Sequence, residues 1–430
     1  MRNTNIAKVV SVLLLSVLLL CVFVSSVLNT FVYKTIQNNE CKHIRSLDSK
    51  FSDVSLSGIH PNMIGGLIAS ESIIATTVSY NTSLVIYCKE SPFVVCNPKN
   101  GNNDRNMIGA NKTFNIALFY HQSWFFSKKA FNFSLCEFNN CIFNEVVTEK
   151  NDVVAIYSIL LYGGHVIKEI PARWPHQMYV MMAWESPFLF HGFMEEEGSP
   201  WETAYNLSMT YRVDSDVFTP YSKLAFQPQP LADRPNYREI ARNKTRSVMW
   251  LCGHCLVESK RYEYIKEMRK YIDVDVRGGC GKSCDEKPPC IESLTPTYKF
   301  YLSFENSLCQ DYVTEKFFKL FNKDIHVVPV VRGKIDYEKY FPENTFINAA
   351  NFRTAKDLAL FLLKLGSDIE SYSKYLEHID LYRETDDYLK TAGCTLCKAL
   401  NTKKIEPKIY NIKEWFVKGS QCDQNPQDII

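Results

Sequence analysis

Apolar residues follow three patterns along the chain. Between Lys8 and Lys34 lie 25 residues without a charge, rich in Leu, Val, Ser and Phe, more than the roughly 20 that cross a bilayer as a helix. Residues 34–75 are polar and without a strong period, as expected of a spacer. From Ser83 onward short apolar runs recur, at Leu84–Tyr87, Asn115–Phe119, Asp152–Ile156 and Met178–Met182. Such runs, bounded by polar breaks, predict strands buried on both faces of a parallel sheet. The Pro-rich segment Leu224–Asn243 reads as an inter-domain linker. A second series follows: a strand at Ser247–Leu251, a helix over Ser259–Lys270, strands at Ile272–Val276 and Tyr298–Phe304, a helix from Thr314 and a strand at His326–Val331. Strands alternating with helices predict doubly wound α/β domains. Two of them would face each other across a cleft at the carboxyl ends of their strands.

The apolar N-terminal stretch sets the compartment. A cleavable signal peptide would have a shorter apolar core of about 7–15 residues, and Ser25-Ser26-Val27 is a weak cleavage site. Arg2 and Lys8 precede the span and no acidic residue occurs before residue 34, which holds the N-terminus in the cytosol. The expected order is a cytosolic tail (1–8), a signal anchor (9–33), a stem (34–75) and a lumenal body, a type II arrangement. Cysteine usage agrees: apart from Cys21 there are 14, an even number in a compartment where disulfides persist. The spacings suggest Cys88 with Cys96, Cys252 with Cys255, and Cys394 with Cys397. Zinc ribbons place their Cys pairs roughly 15–20 residues apart, whereas the two Cys-x-x-Cys pairs here are 139 apart, so disulfides are the better reading. Cys280, Cys284 and Cys290 suggest a stapled loop; Cys41, Cys309 and Cys422 stay unassigned. Glycosylation sequons occur at Asn81, Asn111, Asn132, Asn206 and Asn243. A net charge of +2 gives no electrostatic reason to expect nucleic acid.

The block Tyr298–Phe318, YKFYLSFENSLCQDYVTEKFF, carries the chemistry. It opens as an alternating aromatic strand, breaks at Glu305-Asn306-Ser307 and restarts as a helix at Thr314-Glu315-Lys316. A helix start presents free N–H groups, so a preceding loop with Glu, Asn, Tyr and Lys suits a ligand with phosphates and hydroxyls. On these grounds it is a candidate nucleotide-sugar site. Glu185 ends the apolar run Met178–Trp184 and precedes Pro187, which places a carboxylate in a turn at the end of a buried strand.

Three blocks carry a family resemblance. YKFYLSFENS with DYVTEK, AWESP (Ala183–Pro187) and MTYRVDSDVFTPY (Met209–Tyr221) resemble, in the same order, segments of the α1,3-fucosyltransferases of glycosyltransferase family 10, over roughly residues 80–400. The resemblance implies a GT-B fold of two Rossmann-like domains, with an acceptor-binding domain at 76–235, a GDP-fucose-binding domain at 246–400 and a C-terminal tail at 401–430. It implies an inverting transfer of L-fucose from GDP-fucose, needing one base and a cationic cradle. Glu185 matches the base; Arg261 and Lys316 match the diphosphate cradle. Glu315 matches a hydroxyl ligand, Glu305 and Asn306 flank it, Tyr312 reaches the guanine end, and Tyr211 and Arg212 approach the diphosphate from the opposite domain. Asp214 and Asp216 look like a metal-binding pair but read better as loop-ordering residues; no metal is expected to be required, though divalent cations can stimulate. Cys309, the Cys-rich segment before Tyr298, and His326–Val331 with Asp336-Tyr337 are closer to invertebrate and plant members, which include enzymes acting on the core GlcNAc of N-glycans. The expected acceptor is therefore the N-glycan core GlcNAc of a glycoprotein, with antennal Lewis-type or LacdiNAc GlcNAc as the alternative and a non-catalytic glycan-binding relative as another class. Residence in the Golgi membrane follows from the same reading, and a homodimer is left open.

Overall fold

β-Branched and aromatic runs between turn residues become strands here, and the order of those strands creates the site. The computed structural model describes residues 73–76, 86–96, 112–119, 128–157, 170–190, 199–284, 291, 294–385, 388–402, 405–406 and 408–427. All lie in the unit Ser72–Ile430. The expected tail, anchor and almost all of the stem (1–72), with the sequons at Asn81 and Asn111, lie outside the described residues. No helix among the described residues is long and apolar enough to cross a membrane.

β1 (Ile73–Thr76) and β2 (Ile86–Lys89) pair antiparallel, and β3 (Val94–Val95) follows. The first large sheet contains β4 (Phe114–Phe119), β5 (Cys141–Asn144), β6 (Val153–Tyr157), β7 (Met178–Ala183), β8 (Leu207–Thr210) and β9 (Val217–Phe218), in the order β5-β4-β6-β7-β8-β9 with every pairing parallel. After β10 (Leu224–Phe226), the second sheet contains β11 (Arg246–Leu251), β12 (Val274–Arg277), β13 (Tyr298–Phe304), β14 (Val328–Arg332) and β15 (Ile347–Asn348). It is again wholly parallel, in the order β12-β11-β13-β14-β15. β16 (Tyr382–Glu384) pairs antiparallel with β10, which pairs parallel with β3. The fold is thus α/β with two parallel sheets. In the second sheet the strand order reverses between β11 and β13, the kind of crevice where α/β sheets bind ligands.

Propensity and capping explain the helices that cover the second sheet. Ala355–Ser367 starts at Thr354, whose side chain accepts from the Asp357 N–H, and buries Leu358, Ala359, Leu362 and Leu365 on one face. It packs on Arg261–Met268, and Ile369–Ile379 packs on Tyr237–Asn243.

Several expectations shift. The run at Leu84–Tyr87 overlaps β2, an antiparallel partner of β1 rather than a member of the parallel sheet. β13 is buried on both faces instead of alternating, because an apolar cluster packs on each side of it: Phe300 and Leu302 lie in one, Tyr301 with Leu320 and Val327 in the other. The linker segment holds β10 and the helix Tyr237–Asn243.

Cys88–Cys96 forms as expected. Cys394 and Cys397 do not pair with each other. They leave one face of the helix Tyr388–Thr402 side by side, and each reaches a cysteine of the first half, as Cys136–Cys394 and Cys141–Cys397. Close approach of that helix is set at Gly393, where a Cβ would stand 2.5 Å from the Ala130 carbonyl oxygen. The Cys252–Cys255 pairing is also corrected: Cys255 bonds Cys280 across the ends of β11 and β12, while Cys252 turns inward as a buried thiol donating to the His254 carbonyl. Cys309 finds Cys422.

Among the sequons, Asn132 and Asn243 are exposed. Asn206 is buried, accepting from the Tyr179 N–H and the Arg173 guanidinium while donating to the Lys408 carbonyl. A glycan on Asn206 is incompatible with those bonds and that burial.

Candidate active site

Burial singles out Glu185. From Tyr179 to Pro187 every other residue is buried, because β7 lies inside its sheet and Trp184 is pinned by its indole N–H to the Thr219 carbonyl at 3.0 Å. Ser186 is equally enclosed, its hydroxyl 2.7 Å from that of Ser307. Glu185 alone emerges at the turn, and its Oε2 accepts a hydrogen bond from the Tyr312 hydroxyl at 2.8 Å.

Ser307 and Tyr312 belong to the loop after β13, so the two sheets meet at this carboxylate. That loop is built around Glu305, which is fully buried. Its Oε1 accepts from the Thr314 N–H at 2.9 Å and its Oε2 from the Thr314 hydroxyl at 2.8 Å. Burial raises the Glu305 pKa. Its role is to fold the loop on itself, so it is not a ligand offered to the cleft.

Lys316 follows. Its ammonium lies 2.8 Å from the Thr314 hydroxyl, 3.2 Å from Glu315 and 3.4 Å from Glu305. Burial opposes its charge, but Glu305 and Glu315 outweigh that and raise its pKa, and Glu185 is close enough to add to the effect. Lys316 is therefore a fixed cation at neutral pH. Glu315 is the exposed member, with 57% of its side chain accessible; burial works against its charge, yet Lys316 and Lys319 lower its pKa. The helix Glu315–Phe318 is a single turn, too short to contribute a useful dipole or to persist alone. What holds it is Phe317, packed among Phe318, Phe321, Tyr337, Phe341 and Phe346; burying such a ring contributes about 1.5–3 kcal/mol. Charge at this end comes from Lys316.

Arg261, the first residue of its helix, turns inward and is 3% exposed. It donates to the carbonyls of Phe304 at 2.8 Å and His254 at 2.9 Å, across the ends of β13 and β11, and lies over the Trp250 ring. Its positive charge acts on Lys316, so the two cations share one neighbourhood. Its Nε–H and the Asn306 Oδ1 are buried without a hydrogen-bond partner among the described residues.

Other expected contacts lie elsewhere. Tyr312 is buried, its ring against Tyr211 at 5.0 Å and Tyr221 at 6.2 Å, so it cannot stack on a base. Tyr211 is fully enclosed between Tyr312 and Phe416. Arg212 is buried and grips Asp214 through two bonds of 2.8 and 2.7 Å, then donates to the Trp415 carbonyl at 2.7 Å. Neither it nor Tyr211 is available to a diphosphate. Asp216 accepts from the Ser208 N–H and the Tyr410 hydroxyl and pairs with Lys408, which orders the loop it sits in.

The site also has parts that local sequence does not announce. Residues 408–427 return along the first sheet, with Tyr410 N–H to the Tyr205 carbonyl and Ile412 N–H to that of Glu202. They then clamp the loop after β13, through Gln310 N–H to Ser420, Asp423 N–H to Leu308 and the Cys309–Cys422 disulfide. The only advance signals are unassigned cysteines and the aromatic residues Tyr410, Trp415 and Phe416.

Comparison with known proteins places this architecture. Residues 112–222 match the family described as "Fucosyltransferase, N-terminal" and residues 241–415 the one described as "Glycosyltransferase family 10 (fucosyltransferase) C-term". The chain is similar to alpha-(1,3)-fucosyltransferase C of Drosophila melanogaster, 31% identical over 304 residues that make up 65% of this chain and 69% of that protein. It is also similar to 4-galactosyl-N-acetylglucosaminide 3-alpha-L-fucosyltransferase FUT5 of Homo sapiens, 30% identical over 276 residues, 64% of this chain and 71% of that one. A crystal structure of an alpha1,3-fucosyltransferase with GDP-fucose aligns with a TM-score of 0.44 at 14% identity, over 69% of this chain and 93% of that one. The chain belongs to glycosyltransferase family 10 and is a fucosyltransferase.

Proposed function

We propose that the protein transfers L-fucose from GDP-fucose to a GlcNAc hydroxyl, with inversion at the anomeric carbon. The observation that carries this reading is the meeting of one emergent carboxylate, Glu185, with a buried two-cation neighbourhood, Lys316 and Arg261. In a single displacement the acceptor oxygen forms a bond to the anomeric carbon as the bond from that carbon to the diphosphate oxygen breaks. The acceptor proton goes to Glu185, and the electron pair leaves with GDP, whose growing charge Lys316 and Arg261 stabilise. With cations in place the reaction needs no metal, and Asp214 and Asp216 are committed to Arg212, Trp415, Ser208, Tyr410 and Lys408. Glu315, accessible beside Lys316, is suited to accept from a sugar hydroxyl.

The acceptor we propose is the N-glycan core GlcNAc, on the character of the segments around Cys309 and His326–Val331. The name of the Homo sapiens relative favours a galactosylated GlcNAc as the second reading. Residues 9–33 would anchor the protein in the Golgi membrane with the body lumenal, a reading that the disulfides support.

The test is transfer from labelled GDP-fucose to a core-exposed N-glycopeptide and to N-acetyllactosamine side by side. Glu185→Gln should lower kcat by about 100-fold or more, the range of general-base contributions, and leave GDP-fucose affinity unchanged. Wild-type turnover in that variant would remove Glu185 from the chemistry; label only on lactosamine would replace the acceptor.

A further inference from the structure

One cavity shares no residue with the site described above. It has a volume of about 310 Å³ and is lined by Phe218, Thr219, Ser222 and Lys223, from the end of β9 to the residue before β10, and by Thr385 and Thr395, the first just past β16 and the second on the helix Tyr388–Thr402. Lys223 is the charged residue of this lining, and no carboxylate belongs to it. The Lys223 ammonium makes no hydrogen bond or ion pair among the described residues; it stands 5.7 Å from the centre of the Phe218 ring. A ring face attracts a cation but leaves the three protons of an ammonium unspent. Lys223 is half-buried, and burial, with the like charge of Lys398, lowers its pKa. Lys398 itself is paired with Glu137. A cation drawn out of water is ordinarily paired, and an anion beside it favours the charge that burial opposes.

The hydroxyls of the lining divide by what they can still do. Thr219 donates to the Val217 carbonyl at 3.2 Å and Thr395 to that of Thr391 at 3.0 Å. Ser222 donates to the Thr385 carbonyl at 3.1 Å. The Thr385 hydroxyl accepts from the Lys223 N–H at 3.2 Å, and its other neighbour, the Ser222 oxygen, is at 3.5 Å. Its proton is therefore the one best placed to join the ammonium in serving a guest, while the remaining hydroxyl oxygens can accept from a guest's own O–H groups.

We propose that this cavity is an anion-binding site, in which Lys223 and the Thr385 hydroxyl take one oxyanion: a sulfate, phosphate or carboxylate. Neither Glu185 nor the cations of the donor cradle take part. Thr219, whose carbonyl holds the indole of Trp184 next to Glu185, ties the cavity wall to the strand end that carries the proposed base. An acidic substituent of the acceptor glycan is thus one source of the oxyanion, and an ion from solution is the other.

The test is a calorimetric titration of the intact protein with sodium sulfate, at an ionic strength held constant with chloride and with GDP present to fill the donor cradle. The expected result is one sulfate per chain in the wild type, bound about tenfold or more weakly by Lys223→Met and retained by Lys223→Arg. Thr385→Val, which removes the hydroxyl and keeps the shape, should weaken it to a smaller degree. Fucose transfer to N-acetyllactosamine and to its sulfated form then separates the sources. A KM raised by Lys223→Met for the sulfated acceptor alone assigns the anion to the acceptor; unchanged KM values for both, beside the weakened sulfate binding, assign a free ion. Absence of wild-type binding heat overturns the proposal whatever the variants do. Sulfate that binds Lys223→Met as tightly as the wild type lies elsewhere, and overturns it as well. If sulfate binds as expected but neither acceptor is labelled, the transfer reading fails and the anion site stands.

Discussion

Lys244 is buried just past the helix Tyr237–Asn243, with its ammonium donating to the Tyr298 carbonyl at 2.8 Å. Burial, aided by the like charge of Lys299, lowers its pKa from 10.5 to about 7. The native state therefore gives up this proton before the unfolded chain does. Between about pH 7 and pH 10.5 the unfolded chain binds more protons, so stability rises with pH across that window. Denaturant melts should show the rise from pH 7 to about pH 9.5, and Lys244→Met should flatten it; an unchanged slope would assign it to another group. Nothing in the local sequence marks Lys244, since the strand that encloses it comes 54 residues later. Arg212 errs the other way. In its motif it reads as a charge for a ligand, but its partners Trp415 and Ser420 lie some 200 residues on. The turn setting of Glu185 was legible because it is local, an apolar run, one carboxylate, then Pro187, while its proposed role came from the family resemblance.

At the scale of elements, the parallel strands were readable from apolar runs, with ends displaced by one to two residues: Ile272–Val276 was expected and Val274–Arg277 forms. An apolar run does not say which sheet it joins, as β2 shows by pairing antiparallel with β1 outside the parallel sheet. The Cys-x-x-Cys of the helix Tyr388–Thr402 is the sharper case, because spacing alone says that two thiols are neighbours and not what the helix packs against. A tryptic map of the unreduced protein should link the peptide holding Cys394 and Cys397 to the single peptide holding Cys136 and Cys141. An internal Cys394–Cys397 bond with free Cys136 and Cys141 would refute the arrangement. Each cross-link closes a loop of more than 250 residues, and replacing Cys136 and Cys394 together should cost about 2–5 kcal/mol in a stability measurement.

For the molecule as a whole, the first half supplies the emergent carboxylate, the second half the cations, and residues 408–427 bind both together. Arg212 over Trp415, Tyr410 against Asp216 and Cys422 on Cys309 are the rivets. Cys422→Ser should therefore lower the melting temperature, by a few kcal/mol in stability, and weaken GDP-fucose binding as the loop after β13 loosens. A lower melting temperature with unchanged donor affinity would show that the clamp serves stability alone. The sequence described this segment only as a tail, since its partners lie 113 residues earlier at Cys309 and about 200 earlier at Tyr205 and Glu202.

That clamp has a consequence for how the enzyme comes into being. Chains grow from the N-terminus, so both sheets can assemble on the ribosome while the strap that pins the loop after β13 has yet to be synthesised. Cys309 must wait, reduced or wrongly paired, until residue 422 has been delivered. A polypeptide interrupted before residue 422 would carry Glu185, Arg261 and Lys316 and still lack the disulfide that pins the loop after β13.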